Sequence, residues 1–259
     1  MSVDHDPGPG PGFAEIFAAV PAPPDPAAFW TDWGPVFYRG RLDGSARILC
    51  IASDPGATER IAGRTLVGNA GQRVQGFLAR LGLTRGYLCL NAFPYSLHQH
   101  EDAEAPHMLA DPTQRDWRNR LYDLAAQAPL EAVVAFGVNA RNAVAMWNTR
   151  PQIPLVEIPH PTSHDEQKLL TDWAAAIGRL RPVVTPDPDG DASLPDYADR
   201  FTEADYAAIP RRDLPFGVPW FLGDDSWARQ RQPPLNSAVT RPRPDDQHTL
   251  IWVAPAGHV

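Results

Sequence analysis

The sequence predicts an α/β protein, a three-layer α/β/α sandwich with a short central parallel sheet. The first observation is that four short apolar runs alternate with amphipathic segments between residues 47 and 180. The second is that an amphipathic segment separates each run from the next, as a crossover between parallel strands requires. The third is that eight of the 29 prolines lie in residues 1–35 and twelve in residues 182–259, which leaves the middle free for regular structure.

The first half of this region predicts two strands and a helix. RILCIA (47–52) and YLCLNAF (87–93) are apolar runs of strand length. Their cysteines, Cys50 and Cys89, are predicted to be reduced core residues, because a thiol in an apolar run behaves as a small hydrophobe. The segment between the runs has apolar residues at spacings of three and four, which indicates a helix: Val74, Phe77, Leu78 and Leu81.

The second half repeats the pattern. Trp117, Leu121 and Leu124 indicate a helix over about residues 114–127, before the strand AVVAFG (132–137). The helix VNARNAVAMW (138–147) and the strand LVEIP (155–159) follow. The closing helix is marked by Leu169, Leu170, Trp173, Ile177 and Leu180.

Proline content divides the chain into three parts. Residues 1–30 form a proline-rich N-terminal segment, whose first dozen residues are expected to be disordered. Residues 31–182 form the α/β domain, and residues 183–259 form a proline-rich, acidic C-terminal extension. We expect this extension to pack on the core, with TLIWV (249–253) as an added strand, because it contains Trp220, Phe221, Trp227, Leu250, Ile251 and Trp252.

The charge distribution differs between the ends and the middle. The net charge is −8, but residues 31–182 hold 16 basic and 15 acidic groups. Residues 39–85 contain eight Arg against Asp43, Asp54 and Glu59, which predicts a basic region of the kind that binds phosphates. The alternative is a bias in composition, since Lys168 is the only lysine. No long apolar run or leader is present, so we expect a soluble, cytoplasmic monomer without membrane contact.

Polar residues follow three of the predicted strands. Because ligands of such sheets bind beyond the carboxyl ends of the strands, we expect Asp54, Asn91 and His160 to meet at one edge. Each residue also has a simpler interpretation. Asp54-Pro55-Gly56 is typical of a turn, Asn91 of a capping residue and His160 of a loop histidine.

A glycine-rich segment and a histidine-rich segment resemble known binding motifs only in part. GRTLVG (63–68) has the glycine spacing of a phosphate loop, but Asn69 stands where that motif needs Lys, so a nucleotide triphosphatase is rejected. GNAG (68–71) precedes a helix and can receive a DNA phosphate on its backbone N–H groups. HQHEDAEAPH (98–107) lacks a metal-binding spacing and is predicted to be a solvated loop, so no metal is expected.

The series IASDPGATERIAGRTLVGNAGQ, YLCLNAFPYS and IPHPTSHD resembles the uracil-DNA glycosylase superfamily over roughly residues 45–182. The resemblance implies a DNA partner, Asp54 as the water-activating residue, Asn91 as the base-reading residue and His160 as the residue that acts on the leaving group. It also implies a set of nearby contacts. Ser53, Gly56, Leu66 and Phe93 would contact the base, and Arg64, Asn69, Gly71, Thr162, Ser163 and His164 would contact DNA.

The sequence departs from the family at several positions. The cysteines of its iron-sulfur branch are absent, so no cofactor is expected. Leu66 stands where the family has a base-stacking Phe, and Gly56 where strict uracil enzymes have a Tyr. His164 stands where a Leu wedges into the duplex.

These departures lead to a specific expectation. With two walls of the pocket reduced, we expect a DNA glycosylase open to 5-substituted pyrimidines, including modified cytosines of viral DNA. Plain uracil repair is the competing substrate. A non-catalytic DNA-binding reader is the alternative of another class, and an acidic tail that competes with DNA is a third possibility.

Overall fold

The computed structural model describes residues 5–218, 239–240 and 251–252. Its main sheet contains β1 (Tyr38–Gly40), β2 (Ile48–Ala52), β3 (Tyr87–Asn91), β4 (Ala132–Phe136) and β5 (Leu155–Ile158). The strand order is β1-β3-β2-β4-β5, and only β1 is antiparallel to its neighbour. The predicted parallel sheet is confirmed. The sequence missed β1 because the three residues YRG contain no apolar run.

Helices cover both faces of this sheet. Those in the described residues are α1 (Pro11–Ala18), α2 (Ala57–Ala62), α3 (Asn69–Arg80), α4 (Glu104–Ala110), α5 (Pro112–Ala125), α6 (Val138–Ala145) and α7 (Glu166–Leu180). One core lies under α3 and α7, and the other lies under α1, α4, α5 and α6. The sandwich therefore has the three layers that the sequence predicts.

The strand residues alternate between these two cores. In β2, Leu49 and Ile51 face α1 and α5, whereas Cys50 faces α3 and α7. Cys50 and Cys89 are neighbours in register, and both are free and buried. Burial on both faces explains why these strands appear in the sequence as continuous apolar runs.

The N-terminal segment differs from the expected disorder. The carboxylate of Asp6 lies 2.7 Å from the Arg64 guanidinium, and Pro11 occupies the first turn of α1. Phe13 and Phe17 of this helix are buried in the core. The glycines and prolines of residues 7–12 suggested a linker, but the apolar residues that follow anchor the segment.

The first part of the C-terminal extension packs on the domain through buried acids. Asp187 pairs with Arg47, Asp205 with Arg80, and Asp213 with both Arg39 and Arg41. Hydrogen bonds from the backbone N–H groups of residues 84–86 and from Arg47 outweigh the effect of burial and lower the pKa of Asp187 to about 2. The residues of 183–218 are therefore integrated into the fold.

These ion pairs leave the arginine-rich region less basic than its composition predicts. Six of the eight arginines in residues 39–85 pair with acids, all of which lie outside residues 31–182: Asp6, Asp187, Asp189, Asp205 and Asp213. The other two guanidiniums lie against aromatic rings, Arg60 on Trp30 and Trp33, and Arg73 on Phe201 and Tyr206. The terminal segments therefore neutralise most of the predicted basic region.

The expected strand at TLIWV is formed in part, but it does not pair with a strand of the main sheet. Ile251–Trp252 pairs antiparallel with Val239–Thr240 in a two-stranded ladder and does not extend the main sheet. The other predicted anchors, Trp220, Phe221, Trp227 and Leu250, lie outside the described residues. None of the helices in the described part of the chain has the length and apolar character needed to cross a membrane.

Candidate active site

A cavity of about 230 Å³ lies beyond the carboxyl ends of β2 and β5. It is lined by five of the residues that the sequence singles out: Asp54, Gly56, Leu66, His160 and Thr162. The acid and the imidazole, 106 positions apart in the chain, thus meet at one site. Parallel strands place them there, because their carboxyl ends share one edge of the sheet.

Asp54 follows β2 in the turn that leads into α2. The turn predicted from Asp-Pro-Gly is real, because Gly56 caps the N-terminus of α2, which begins at Ala57. The backbone N–H of Leu97 donates to Asp54 Oδ2 at 3.1 Å and fixes the carboxylate at the cavity wall. Burial raises the pKa of Asp54 to about 6, aided by the charges of Asp102 and Glu59 and opposed by hydrogen bonds from Ser53 and Leu97. The group is ionised at neutral pH.

His160 lies two residues beyond the end of β5. Its Nδ1 accepts the backbone N–H of Thr162 at 3.2 Å and lies 2.8 Å from the Thr162 hydroxyl oxygen. Burial lowers the pKa of the imidazole to about 4, so the ring is neutral at pH 7. Because Nδ1 accepts a hydrogen bond, the proton of the neutral ring lies on Nε2. His160 is therefore a neutral N–H donor.

Gly137, between β4 and α6, packs against this imidazole. A Cβ at position 137 would lie 3.0 Å from His160 Cβ and 3.5 Å from ring atoms Cγ and Cδ2. Gly137 also has φ of +88°, a conformation that favours glycine. The close approach of this backbone limits the positions that the ring can take.

The loop before α3 is held by a carboxylate that the sequence analysis did not single out. Glu59 lines the cavity, and its Oε1 accepts the backbone N–H groups of Val67 and Gly68 at 2.7 and 2.8 Å. Glu59 occupies the third position of α2, where an acid often binds free backbone N–H groups. In the sequence that position indicates only a cap of its own helix, so the contact with residues 67 and 68 could not be read from it.

A family model for the uracil DNA glycosylase superfamily matches residues 39–176. The chain belongs to this superfamily. No curated protein matches the chain. The superfamily consists of DNA glycosylases, hydrolases that act on DNA. The matched range covers β2 to β5 together with Asp54 and His160 at the cavity.

Asn91, the expected base reader of this superfamily member, is not among the residues that line the cavity. Its register partner in β2, Ala52, does line the cavity, and paired residues of parallel strands point to the same face. The Thr65 hydroxyl donates to Asn91 Oδ1 at 2.5 Å, and Asn91 Nδ2 is a buried donor without a hydrogen-bond partner. Asn91 therefore lies next to the cavity, with its amide group available for a ligand acceptor.

Two expected base contacts have other positions. Ser53 Oγ accepts a hydrogen bond from Asn139 Nδ2 at 2.9 Å, and Phe93 is buried with its ring edge-on to Phe29. Neither is among the cavity-lining residues. The resemblance placed Phe93 at the base, but its side chain belongs to the core under α1 and α5.

The expected DNA contacts fall into two groups. Thr162, Ser163 and His164 lie on the loop after β5 at the edge of the cavity, where Thr162 lines it. Arg64 forms an ion pair with Asp6, and its guanidinium carbon lies over the Tyr38 ring, 4.6 Å from the ring centroid.

Asn69 and Gly71 open α3. A Cβ at Gly71 would collide with the backbone carbonyl of Leu66, so packing alone requires this glycine. The two backbone N–H groups just before α3 are occupied by Glu59, which reduces what the GNAG segment can offer a phosphate.

Other cavity walls come from residues that carried no signal of their own in the sequence. Pro55, Ala70, Ser96 and Leu97 complete the lining together with Ala52 and Glu59. HQHEDAEAPH was predicted to be a solvated loop, but its last four residues, 104–107, form the start of α4. His98 lies against Trp30, and His107 contacts Glu104 at 3.2 Å.

Proposed function

We propose that this chain hydrolyses the N-glycosidic bond of a pyrimidine that has been flipped out of DNA. The observation that supports this most directly is the arrangement of Asp54 and His160 on one cavity, one as a carboxylate and the other as a neutral donor. These are the two kinds of group that the reaction uses.

Breaking this bond develops positive charge on the sugar and negative charge on the departing base. A carboxylate near the sugar carbon stabilises the first and can accept a proton from the attacking water. A donor near the base oxygen stabilises the second. In the proposed mechanism Asp54 has the first role, and Nε2–H of His160 has the second.

The size of the cavity suits one base. Its volume of about 230 Å³ lies below the ~300–1,000 Å³ of pockets for drug-sized ligands. A base inside a duplex cannot reach a cavity at the edge of a sheet, so the nucleotide must leave the stack at a cost of a few kcal/mol.

We propose 5-substituted pyrimidines as the substrate class, including modified cytosines of viral DNA. Gly56 and Leu66 both line the cavity, in place of the Tyr and Phe that the resemblance leads one to expect. The space beside Gly56 is shared with Glu59, because a Cβ at position 56 would lie 2.7 Å from Glu59 Oε2. A carboxylate in this wall accepts hydrogen bonds, which favours a substituent that carries hydroxyl or amino donors.

The experiment is to identify the bases that the purified full chain releases. Duplex and single-stranded DNA containing uracil, mismatched thymine or natural 5-modified cytosines would be incubated with the protein, and the free bases identified by mass spectrometry. Release of a 5-substituted base is the expected result. Release of uracil alone would contradict the substrate class and favour plain repair.

Asp54→Asn distinguishes an enzyme from a non-catalytic reader. The substitution keeps the shape of the side chain but removes the carboxylate, so base release should fall at least a hundredfold while DNA affinity is largely kept. Asp116→Asn, an exposed acid on α5, serves as the matched control. If the wild-type protein binds DNA but releases no base from any substrate, the result favours the non-catalytic reader.

A further inference from the structure

A cluster of one arginine and three rings lies beside the cavity, and one of its rings is exposed. Arg60 of α2 lies over two indole rings, with its guanidinium carbon 4.8 Å from the centroid of Trp30 and 5.4 Å from that of Trp33. The ring of His98 lies against Trp30, inclined by 37°, with the two centroids 4.2 Å apart. Trp33 is 51% exposed, a large fraction for an aromatic side chain. We call Trp30, Trp33, Arg60 and His98 the Trp33 platform.

The platform is joined to the cavity wall by the backbone. Trp30 N donates to the carbonyl of Ser96 at 2.8 Å, and Phe29 forms an antiparallel bridge with Leu97. Ser96 and Leu97 line the cavity, and Leu97 N also holds Asp54. On the other side, Arg60 follows Glu59, which lines the same cavity. The platform is therefore joined to three residues that line the cavity: Ser96 through the hydrogen bond from Trp30, and Glu59 and Leu97 as chain neighbours of Arg60 and His98.

We propose that the Trp33 platform binds an unstacked nucleobase of the DNA strand next to the extruded nucleotide. This proposal rests on the proposed function, because it assumes that the cavity receives one nucleotide of the same strand. The exposed indole of Trp33 supplies a flat π-surface on which any base can stack, and Arg60 beneath it supplies a positive charge.

A base stacked on Trp33 would offset part of the cost of extrusion. Extruding a nucleotide removes stacking from its neighbours. A neighbouring base that stacks on Trp33 recovers part of that loss, which gives the platform a role in holding the strand open.

The test compares DNA affinities of three variants of the full chain. Fluorescence anisotropy would be measured with a labelled single-stranded oligonucleotide that contains no modified base. Trp33→Ala should weaken binding by about five-fold to about 150-fold, which is ~1–3 kcal/mol for one stacked base at ~1.4 kcal/mol per tenfold. Trp33→Phe should retain most of the affinity, because it keeps an aromatic face.

Val183→Ala is the matched control. Val183 is an exposed apolar residue, and it follows the end of α7, the helix that starts near the cavity and runs away from it. This variant should bind DNA as the wild type does. Unchanged affinity for Trp33→Ala, or an equal loss for Val183→Ala, would overturn the proposal.

A second measurement needs no substitution. Single-stranded DNA with 5-bromodeoxyuridine at positions flanking a uracil would be photo-crosslinked to the wild-type protein and digested with trypsin. Trypsin cleaves after Lys or Arg, and Arg39 is the first of these in the sequence, so both Trp30 and Trp33 lie in the peptide 1–39. Crosslinks at Trp33 or Trp30 are expected, and crosslinks confined to other peptides would overturn the proposal.

The two proposals can fail separately. If the protein releases bases but Trp33→Ala binds DNA normally, the platform is wrong and the glycosylase assignment stands. If no base is released but Trp33→Ala weakens DNA binding, the platform stands as a DNA-binding surface and the enzymatic proposal fails.

Discussion

The carboxylate of Asp213 lies 3.1 Å from the guanidinium of Arg39, a residue 174 positions earlier in the chain, and neither side chain is exposed. The same carboxylate binds Arg41 and accepts the Tyr87 hydroxyl at 2.6 Å. Arg39 also donates to Gln75 Oε1 at 2.7 Å. A guanidinium buried beside β3 thus obtains its counter-charge from the C-terminal extension, which makes residues 183–218 part of the folding unit.

Asp213→Ala should destabilise the protein by ~3–5 kcal/mol, because it leaves Arg39 buried without its counter-charge. Urea unfolding at pH 7 measures this change. The control is Asp196→Ala, which breaks an exposed pair with Arg181 and should cost less than about 1 kcal/mol. Equal effects of the two substitutions would show that the buried network does not hold the extension.

The same network makes truncation near residue 182 a test of folding. The truncated chain loses the partners of Arg39, Arg47 and Arg80 together, so we expect it to lack a cooperative unfolding transition. Circular dichroism during heating checks this. A truncated chain that folds and binds DNA more tightly would instead support the tail as an acidic competitor.

The pH dependence of base release should follow Asp54. Its pKa is raised to about 6, and the proposed mechanism requires the ionised form. The single-turnover rate should therefore rise about tenfold per pH unit below pH ~6 and level off above it. The pKa of His160, about 4, lies too low to affect the profile between pH 5 and 8. A flat profile through pH 6 would contradict the role of Asp54.

Asp102→Asn gives a matched variant for this profile. The charge of Asp102 raises the pKa of Asp54, so its removal should move the acidic limb to lower pH. The rate on the plateau should stay the same. A shift to higher pH would show that the sign of this coupling is wrong.

Replacing either of two helical glycines by alanine should change the free energy of unfolding, in opposite directions. A Cβ at Gly76 of α3 would collide with the backbone carbonyl of Asp205, whereas a Cβ at Gly178 of α7 meets open space. Gly178→Ala should stabilise the protein by up to ~1 kcal/mol through helix propensity. Gly76→Ala should destabilise it by ~1–3 kcal/mol through overpacking against the extension. Stabilisation by both, in urea unfolding, would refute the close packing.

Leu66→Phe tests the proposed substrate class. Leu66 lines the cavity with φ of +53°, and a Phe at this position would fill space that a 5-substituent needs. Release of a 5-substituted pyrimidine should fall about tenfold or more relative to release of uracil. Leu66→Met, of similar volume, should change the ratio little. An equal loss for both bases would contradict the proposal.

The order of the four parallel strands and of a helix after each was readable from the sequence because apolar periodicity is a local property. Ile48–Ala52 is apolar throughout, Tyr87–Asn91 is apolar up to its last residue, and α3 between them has its apolar residues on one face. The positions of Asp54 and His160 followed from the same pattern, since each lies just after a strand of one parallel sheet. The direction of the strands brings both residues to one edge of the sheet, and the strand order, with only β4 between β2 and β5, lets them meet at one cavity.

Other features depend on contacts between distant segments. The sequence contains the excess of arginine in residues 39–85 and the excess of acid at the termini, but it does not say that Asp6, Asp187 and Asp213 pair with these arginines. The sequence likewise does not show that Glu59 lines the cavity or that Trp33 contacts Arg60 beside it. Both facts depend on how α2 and residues 28–36 pack next to the cavity.

The sequence by itself thus determined the layered fold and which two side chains end their strands at the cavity, because short-range periodicity encodes both. The tertiary structure alone decided which charges are paired inside the fold and which side chains stay exposed at the surface. A charge becomes neutralised or available only through neighbours that lie far away in the chain.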